Sequence, residues 1–177
     1  MHSTSDATTI NIYSGVQIAR LIEKGLDEKK KFERDAKDKC DVKYDSKCFR
    51  TVVYDSKNVT FYDAAPTCKS MNIGKPANIY DLTHFQLLRA HLRSVIPARR
   101  PHILIWTGME YKSNQLLLSN GRAITIATEV WHANNYPNSL ARYSNVCVAV
   151  RKDPENKYQG TMNRQPSDPY SGVICEV

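Results

Sequence analysis

The chain has 177 residues and a formal charge of +7, enough for one ordinary domain with a proper core plus an extension. No apolar run approaches the length of a membrane span, so the sequence predicts no membrane insertion, and the charge favours acidic partners without defining a function. The opening MHSTSDATT lacks the apolar core of a secretion signal, so any such signal is expected to have been removed or never present. Five cysteines, without a CxxC pair or a His/Cys cluster, favour an oxidising, extracellular setting over zinc.

Residues 10–38 differ from the rest. Ile18, Leu21, Ile22, Leu26 and Phe32 recur at helical spacing and lead into the charged run EKKKFERDAKDK. This predicts a helix over about Gly15–Arg34. A neck joining copies of the chain and a helix packed on its own domain both explain the pattern. The charged end resembles a solvated stalk and favours the neck, so residues 1–39 are read as an extension capable of homo-oligomerisation. Cys40 and Cys48 flank DVKYDSK, whose Asp-Ser turn signal suits a small disulfide-closed hairpin. Phe49–Tyr54 follows as a strand. Thr60 is the expected N-cap of a helix carrying Cys68, with Asp63 reaching back to it. Asn58-Val59-Thr60 is also a glycosylation sequon, a triplet common by chance.

Asp81 caps a clearer helix, in which Leu82, Phe85, Leu88, Leu92 and Val95 make one apolar face before Pro97 stops it. Arg89 and Arg93 are expected on its outer face, continuing into Arg99 and Arg100 as a basic ridge that is read as solvated surface. Ile103–Met109 is a buried-strand run, and Gln115–Leu118 enters a Ser119-Asn120-Gly121 turn. From Trp131 to Cys175, two apolar strands, Val146–Val150 and Gly172–Cys175, bracket segments rich in Asn, Pro, Ser and Gly. Tyr136, Tyr143, Tyr158 and Tyr170 stand there among many asparagines, the mixture of rigid area and adaptable hydrogen bonds that binding loops favour. An ordinary turn-rich surface is the alternative.

No nucleophile elbow, metalloprotease helix or phosphate-cradling glycine loop is present. His2, His84, His91, His102 and His132 never pair at metal-ligand spacing with another His, Cys or carboxylate. The sequence therefore predicts no enzyme, no cofactor, no metal and no nucleic-acid partner.

Residues 40–177 resemble the C-type lectin-like domain, on an ordered set of motifs: the extra hairpin Cys40–Cys48, the helix Thr60-Phe61-Tyr62-Asp63-Ala64 through Cys68, and Trp106-Thr107-Gly108-Met109 in place of a Trp-Ile-Gly-Leu strand. Trp131 at the loop entrance, Asn145-Val146-Cys147-Val148, and the terminal Ile174-Cys175-Glu176 complete it. The resemblance implies an α+β fold, two helices on antiparallel sheets with a long loop region at one end, preceded here by the N-terminal helix. It also implies a Cys68–Cys175 bridge. The partner expected for Cys147 falls at Ser167, which leaves Cys147 free.

Sugar-binding relatives hold calcium through a Glu-Pro-Asn-type triplet in the long loop and a Trp-Asn-Asp triplet further on. Here these read Tyr136-Pro137-Asn138 and Met162-Asn163-Arg164, and no Asp or Glu occurs from Trp131 to Lys152. Calcium takes roughly six to eight oxygens, several from carboxylates, so the resemblance implies a degenerate site. Gln165-Pro166-Ser167-Asp168 imitates a galactose-type triplet but carries an insertion. The expected function is extracellular, calcium-independent recognition of a protein ligand through Trp131, Asn135, Tyr136, Asn138, Arg142, Tyr143, Asn163 and Arg164. The alternative is a lectin for acidic or sulfated cell-surface glycans using Arg142, Arg151, Lys152, Lys157 and Arg164. A calcium-dependent sugar lectin comes third.

Overall fold

The computed structural model describes residues 15–134 and 136–177, and within α1 it leaves the side chains of Val16 and residues 32–38 undescribed. The chain divides into two units at Asp38/Lys39. The first contains a helix, α1 (Gly15–Asp38), which runs on past Arg34 through the good helix formers Ala36 and Lys37. Ile18, Leu21, Ile22 and Leu26 are exposed along it, while the expected Phe32 contact lies outside the described residues.

The second unit is built on a nine-stranded sheet. The Asp45-Ser46 turn, both residues at positive φ, joins β1 (Val42–Tyr44) to β2 (Lys47–Val53). Next come α2 (Phe61–Ser70), β3 (Lys75–Pro76) and α3 (Leu82–Ser94). Asp63 starts α2 by accepting from the Thr60 amide at 2.9 Å and its hydroxyl at 2.6 Å. Asp81 starts α3 by accepting from the His84 amide at 2.8 Å. The strands β4 (His102–Lys112), β5 (Gln115–Leu117), β6 (Ala123–Ile124), β7 (Asn145–Arg151), β8 (Gly160–Arg164) and β9 (Gly172–Glu176) complete the unit.

β4 is central. It pairs antiparallel with β5 and β7 and parallel with β9, and β9 in turn pairs with β2 and β3. A strand covered on both faces must be apolar throughout, which is why Ile103, Ile105, Trp106 and Met109 are all fully enclosed. Phe85, Leu88 and Leu92 of α3 pack into the core with Ile105, Val148 and Ile174, and a second cluster joins Ala64 and Cys68 of α2 to Trp106, Cys147 and Val173. The Trp106 indole donates to the Val59 carbonyl at 2.9 Å, answering its one polar atom. Gly108 is required where β4 passes β3, since a Cβ there would collide with the Pro76 carbonyl.

Two disulfides close the unit, Cys40–Cys48 and Cys68–Cys175, and the Cys147 thiol is free and buried. The basic ridge expected on α3 is corrected in one respect. Arg89 and Arg93 turn inward: the Arg89 guanidinium lies 5.5 Å from the Phe85 ring centre, and Arg93 donates to the Arg151 carbonyl and to Gln159 Oε1, each at 3.0 Å. Their long stems lie along apolar surface while the heads find acceptors at its edge.

Candidate functional site

The long connection from β6 to β7 is held at its entrance by Trp131. Its ring is half-buried and meets Tyr111 edge-on at 6.0 Å, while its backbone bridges to Thr161 of β8. The next residue, His132, donates its amide to the Thr161 carbonyl at 2.8 Å and accepts the Asn134 amide at its Nδ1 at 3.2 Å. Its ring lies between Tyr136, edge-on at 5.6 Å, and Tyr158, stacked at 6.2 Å. Burial, with Arg151 and Arg164 nearby, pushes the His132 pKa below the usual histidine value.

Asn163 is the organising residue of the loop. Its side chain is fully enclosed: Oδ1 accepts from the Asn138 amide at 2.7 Å, and Nδ2 donates to the carbonyls of Asn138 at 2.7 Å and Tyr143 at 2.6 Å. One amide thus closes two turns of a loop that has no ladder of its own. This corrects the expectation that Asn163 contacts ligand, because none of its surface reaches solvent.

Arg164, next along β8, donates to the Tyr136 phenol at 3.1 Å through Nη1 and to the Tyr170 phenol at 3.0 Å through Nε. Tyr170 passes its own proton towards Asp168 Oδ2 at 3.2 Å, and Asp168 lies 3.9 Å from Arg164. Burial is the largest single influence and opposes the Arg164 charge, but the bond to Tyr170 together with the attraction of Tyr170, Tyr136 and Cys147 holds the guanidinium pKa above its ordinary value. Burial likewise raises the Tyr170 pKa, with Cys147 next in effect, so that phenol stays protonated.

The outer part of the loop is open. Arg142 is exposed, with its guanidinium 4.9 Å from the Tyr143 ring centre and Nη2 donating to the Tyr143 hydroxyl at 3.3 Å. Tyr136, Asn138 and Tyr143 are half-buried, and Asn135 lies outside the described residues. Beside the loop, Trp131 and Pro137 form one wall of an open groove of about 350 Å³, with Tyr111, Leu116, Ile124 and Ile126 forming the other. Sequence reasoning left His132 and this groove out of the site, and named Tyr170 only as one of the loop tyrosines. The Trp131-His132 neighbours were the available signal for the first, whereas the groove depends on how the β5–β6 hairpin folds over. Arg151 and Lys152, grouped with the loops in the sequence, lie at the other end of β7.

One cystine closing the β1–β2 hairpin, another tying α2 to β9, a central Trp-bearing strand, two helices and a long loop make a recognisable architecture. The chain has the C-type lectin-like fold. It is similar to the C-type lectin domain of murine dendritic cell inhibitory receptor 2 in complex with N-glycan, with 15% identity over 77% of this chain and 94% of that one and a TM-score of 0.54. Human lithostathine shows 18% identity over 76% and 94%, with a TM-score of 0.55. A Ca²⁺-dependent type II antifreeze protein in its Ca²⁺-free form shows 12% over 77% and 95%, with a TM-score of 0.56. No family model matches the chain, and no curated protein matches its sequence. At these identities it is the fold that is shared. In this chain guanidinium, phenol and amide groups line the long loop.

Proposed function

We propose that residues 40–177 form an extracellular recognition module that binds a protein ligand through the long loop, without calcium, and that the chain is no enzyme. The observation that carries this reading is the Arg164 guanidinium seated between the phenols of Tyr136 and Tyr170. A fixed positive charge with two neutral phenols is a donor set that repels a hard dication, which seeks carboxylate and carbonyl oxygens. Asn163 adds to the argument, since both ends of its amide are already committed to the backbone. Among the described residues, no three His, Cys, Asp or Glu side chains converge as metal ligands. With the loop clamped from beneath, its outer face of Tyr136, Asn138, Arg142 and Tyr143, with Trp131 beside the groove, offers preorganised aromatic area of the kind that dominates protein interfaces.

Recognition of a glycan is the second reading. It is favoured by solved structures of the same fold, described as complexes with N-glycan and with GlcNAc. Two further parts of the proposal concern setting. The disulfides support an oxidising, extracellular location. The exposed apolar stripe on α1 supports self-association of that segment, and Asn58, exposed in its sequon, is a candidate glycosylation site.

The test is an array of cell-surface proteins and glycans probed with the full chain, with and without chelator, followed by loop variants against whatever binds. On the proposed reading binding survives chelator, and Tyr143→Ala and Tyr136→Ala each cost about 2 kcal/mol or more. Arg142→Ala changes association rate and salt dependence instead. Binding that chelator abolishes overturns the calcium-independent reading. A glycan hit that tolerates both tyrosine truncations selects the second reading over the first.

A further inference from the structure

We propose that the end of the domain where the turn after α3 meets the turn end of the β7–β8 hairpin is a second binding surface, for a linear sulfated polysaccharide. Its elements are Lys57, Arg93, Arg99, Arg100, Arg151 and Lys152. The fold brings them together from four segments. His102 pairs with Arg151 across β4 and β7, and Lys152 donates its amide to the Pro101 carbonyl at 3.0 Å and Nζ to the Ala98 carbonyl at 2.6 Å. Arg93 reaches the Arg151 carbonyl, and Arg100 Nη1 reaches Ser171 Oγ at 3.4 Å. Lys57 faces the same place: burial first, then Lys57, Arg151 and Arg100, drive the His102 pKa below its usual value.

Three features mark this as a site rather than general surface charge. Among the described residues, none of these cations has a carboxylate within ion-pair distance. The acid nearest in sequence, Asp153, turns its Oδ1 to the Glu155 amide at 3.0 Å within the hairpin. Second, Arg93 and Arg151 are held at Nε by carbonyls, the latter by that of Tyr158 at 2.9 Å, which fixes the guanidinium planes; Arg93 spends Nη2 on Gln159 and keeps Nη1 for an anion, and Arg151 keeps both Nη groups. Third, Arg151 stands at the far end of β7 from Asn145, the register partner of Arg164, roughly 20 Å away at strand rise. The surface is therefore separate from the Arg164 end of the loop, where Tyr136 and Asn138 are held.

The chemistry selects the partner. Guanidinium groups match sulfate in two-donor geometry, and cations spread over several elements match sulfates spread along a chain. A single-stranded nucleic acid would need aromatic platforms among the cations, and none of the six is stacked on a ring. The disulfides support a compartment in which sulfated polysaccharides are the available polyanions.

The experiment measures binding of the full chain to a heparin-derived dodecasaccharide by fluorescence anisotropy over a salt series. A desulfated dodecasaccharide and a single-stranded oligonucleotide of matched charge run in parallel. Lys57 and Arg99 are both exposed, so the double variant Lys57→Ser/Arg99→Ser is expected to keep the wild-type melting temperature while losing about tenfold in affinity, equivalent to about 1.4 kcal/mol. The double variant Lys69→Ser/Lys75→Ser removes the same charge from other exposed positions and is expected to change affinity less than about twofold. Equal losses in the two variants, equal binding of the desulfated sugar, tighter binding of the oligonucleotide, or no binding would each overturn the proposal.

Discussion

The core carries its own pH sensor in His84, and replacing it with glutamine should flatten the pH dependence of stability. The ring is fully enclosed, stacked on Tyr44 at 4.6 Å and tilted against Phe49 at 4.2 Å. Nδ1 accepts the Tyr80 amide at 3.3 Å, and Nε2 has no partner. Burial pushes the pKa from 6.5 down to about 4, against the pull of Asp81 and Glu176. A base whose folded pKa is depressed takes up protons on unfolding, so its contribution disappears as pH falls through the unfolded value towards the folded one. Between pH 7.5 and 5 those two values correspond to a loss of about 2 kcal/mol. The depressed carboxylates Asp63, Asp81 and Glu176 lose their contributions only below their ordinary values of 3.8 to 4.5, outside this window. His102 and His132 are also depressed and titrate in both proteins, so the difference between wild type and His84→Gln isolates one ring. Glutamine retains an acceptor for the Tyr80 amide. Urea unfolding at pH 7.5 and 5 measures the effect, with the denaturant slope checked for constancy. Equal pH dependence in the two proteins would refute the assignment.

Replacing Cys68 and Cys175 with serine should cost about 5 kcal/mol by denaturant unfolding, since that bridge spans 107 residues, roughly twice the cost of replacing Cys40 and Cys48, which are 8 apart. Gly108→Ala should destabilise by roughly 1–3 kcal/mol or prevent folding, because its Cβ meets a backbone carbonyl with nowhere to move; a wild-type melting temperature would contradict this packing. Asn163→Leu should leave the core transition intact but raise amide exchange at Asn138 by about tenfold or more, since the two turns lose their shared clamp.

The core of this fold was legible in the sequence because burial on both faces leaves a plain mark. Val146–Val150 is apolar without interruption and Ile103–Met109 is broken only at Thr107-Gly108, and the Asp81 cap and the apolar face of α3 fix where that helix begins and what it covers. Spacing could not show which atoms a polar residue satisfies. Asn163 stands in the motif order where a metal-site asparagine falls, yet the fold turns its amide inward to three backbone groups. The outward Arg93 of a helical wheel finds a carbonyl across the sheet instead. The Arg164–Tyr136 contact joins residues far apart in sequence, and no periodicity connects them. Partners of this kind are set by tertiary geometry, so the loop residues could be named in advance while their hydrogen-bond partners could not.

This arrangement bears on how the proposed module would behave. A loop ordered by a bound ion is ordered only while the ion is present, because binding energy and loop order are then one quantity. In this chain the positive charge at the heart of the loop is carried on Arg164, and a guanidinium stays charged at every physiological pH. The groups answering it are two phenols, of which Tyr170 is held protonated by burial, together with one carboxylate, Asp168. On the proposed reading the loop therefore keeps its shape through chelation and through mild acidification. A recognition surface built this way is constitutive. Control of its binding then has to come from elsewhere, through the number of copies that α1 brings together or through a second contact such as the cationic end of the domain.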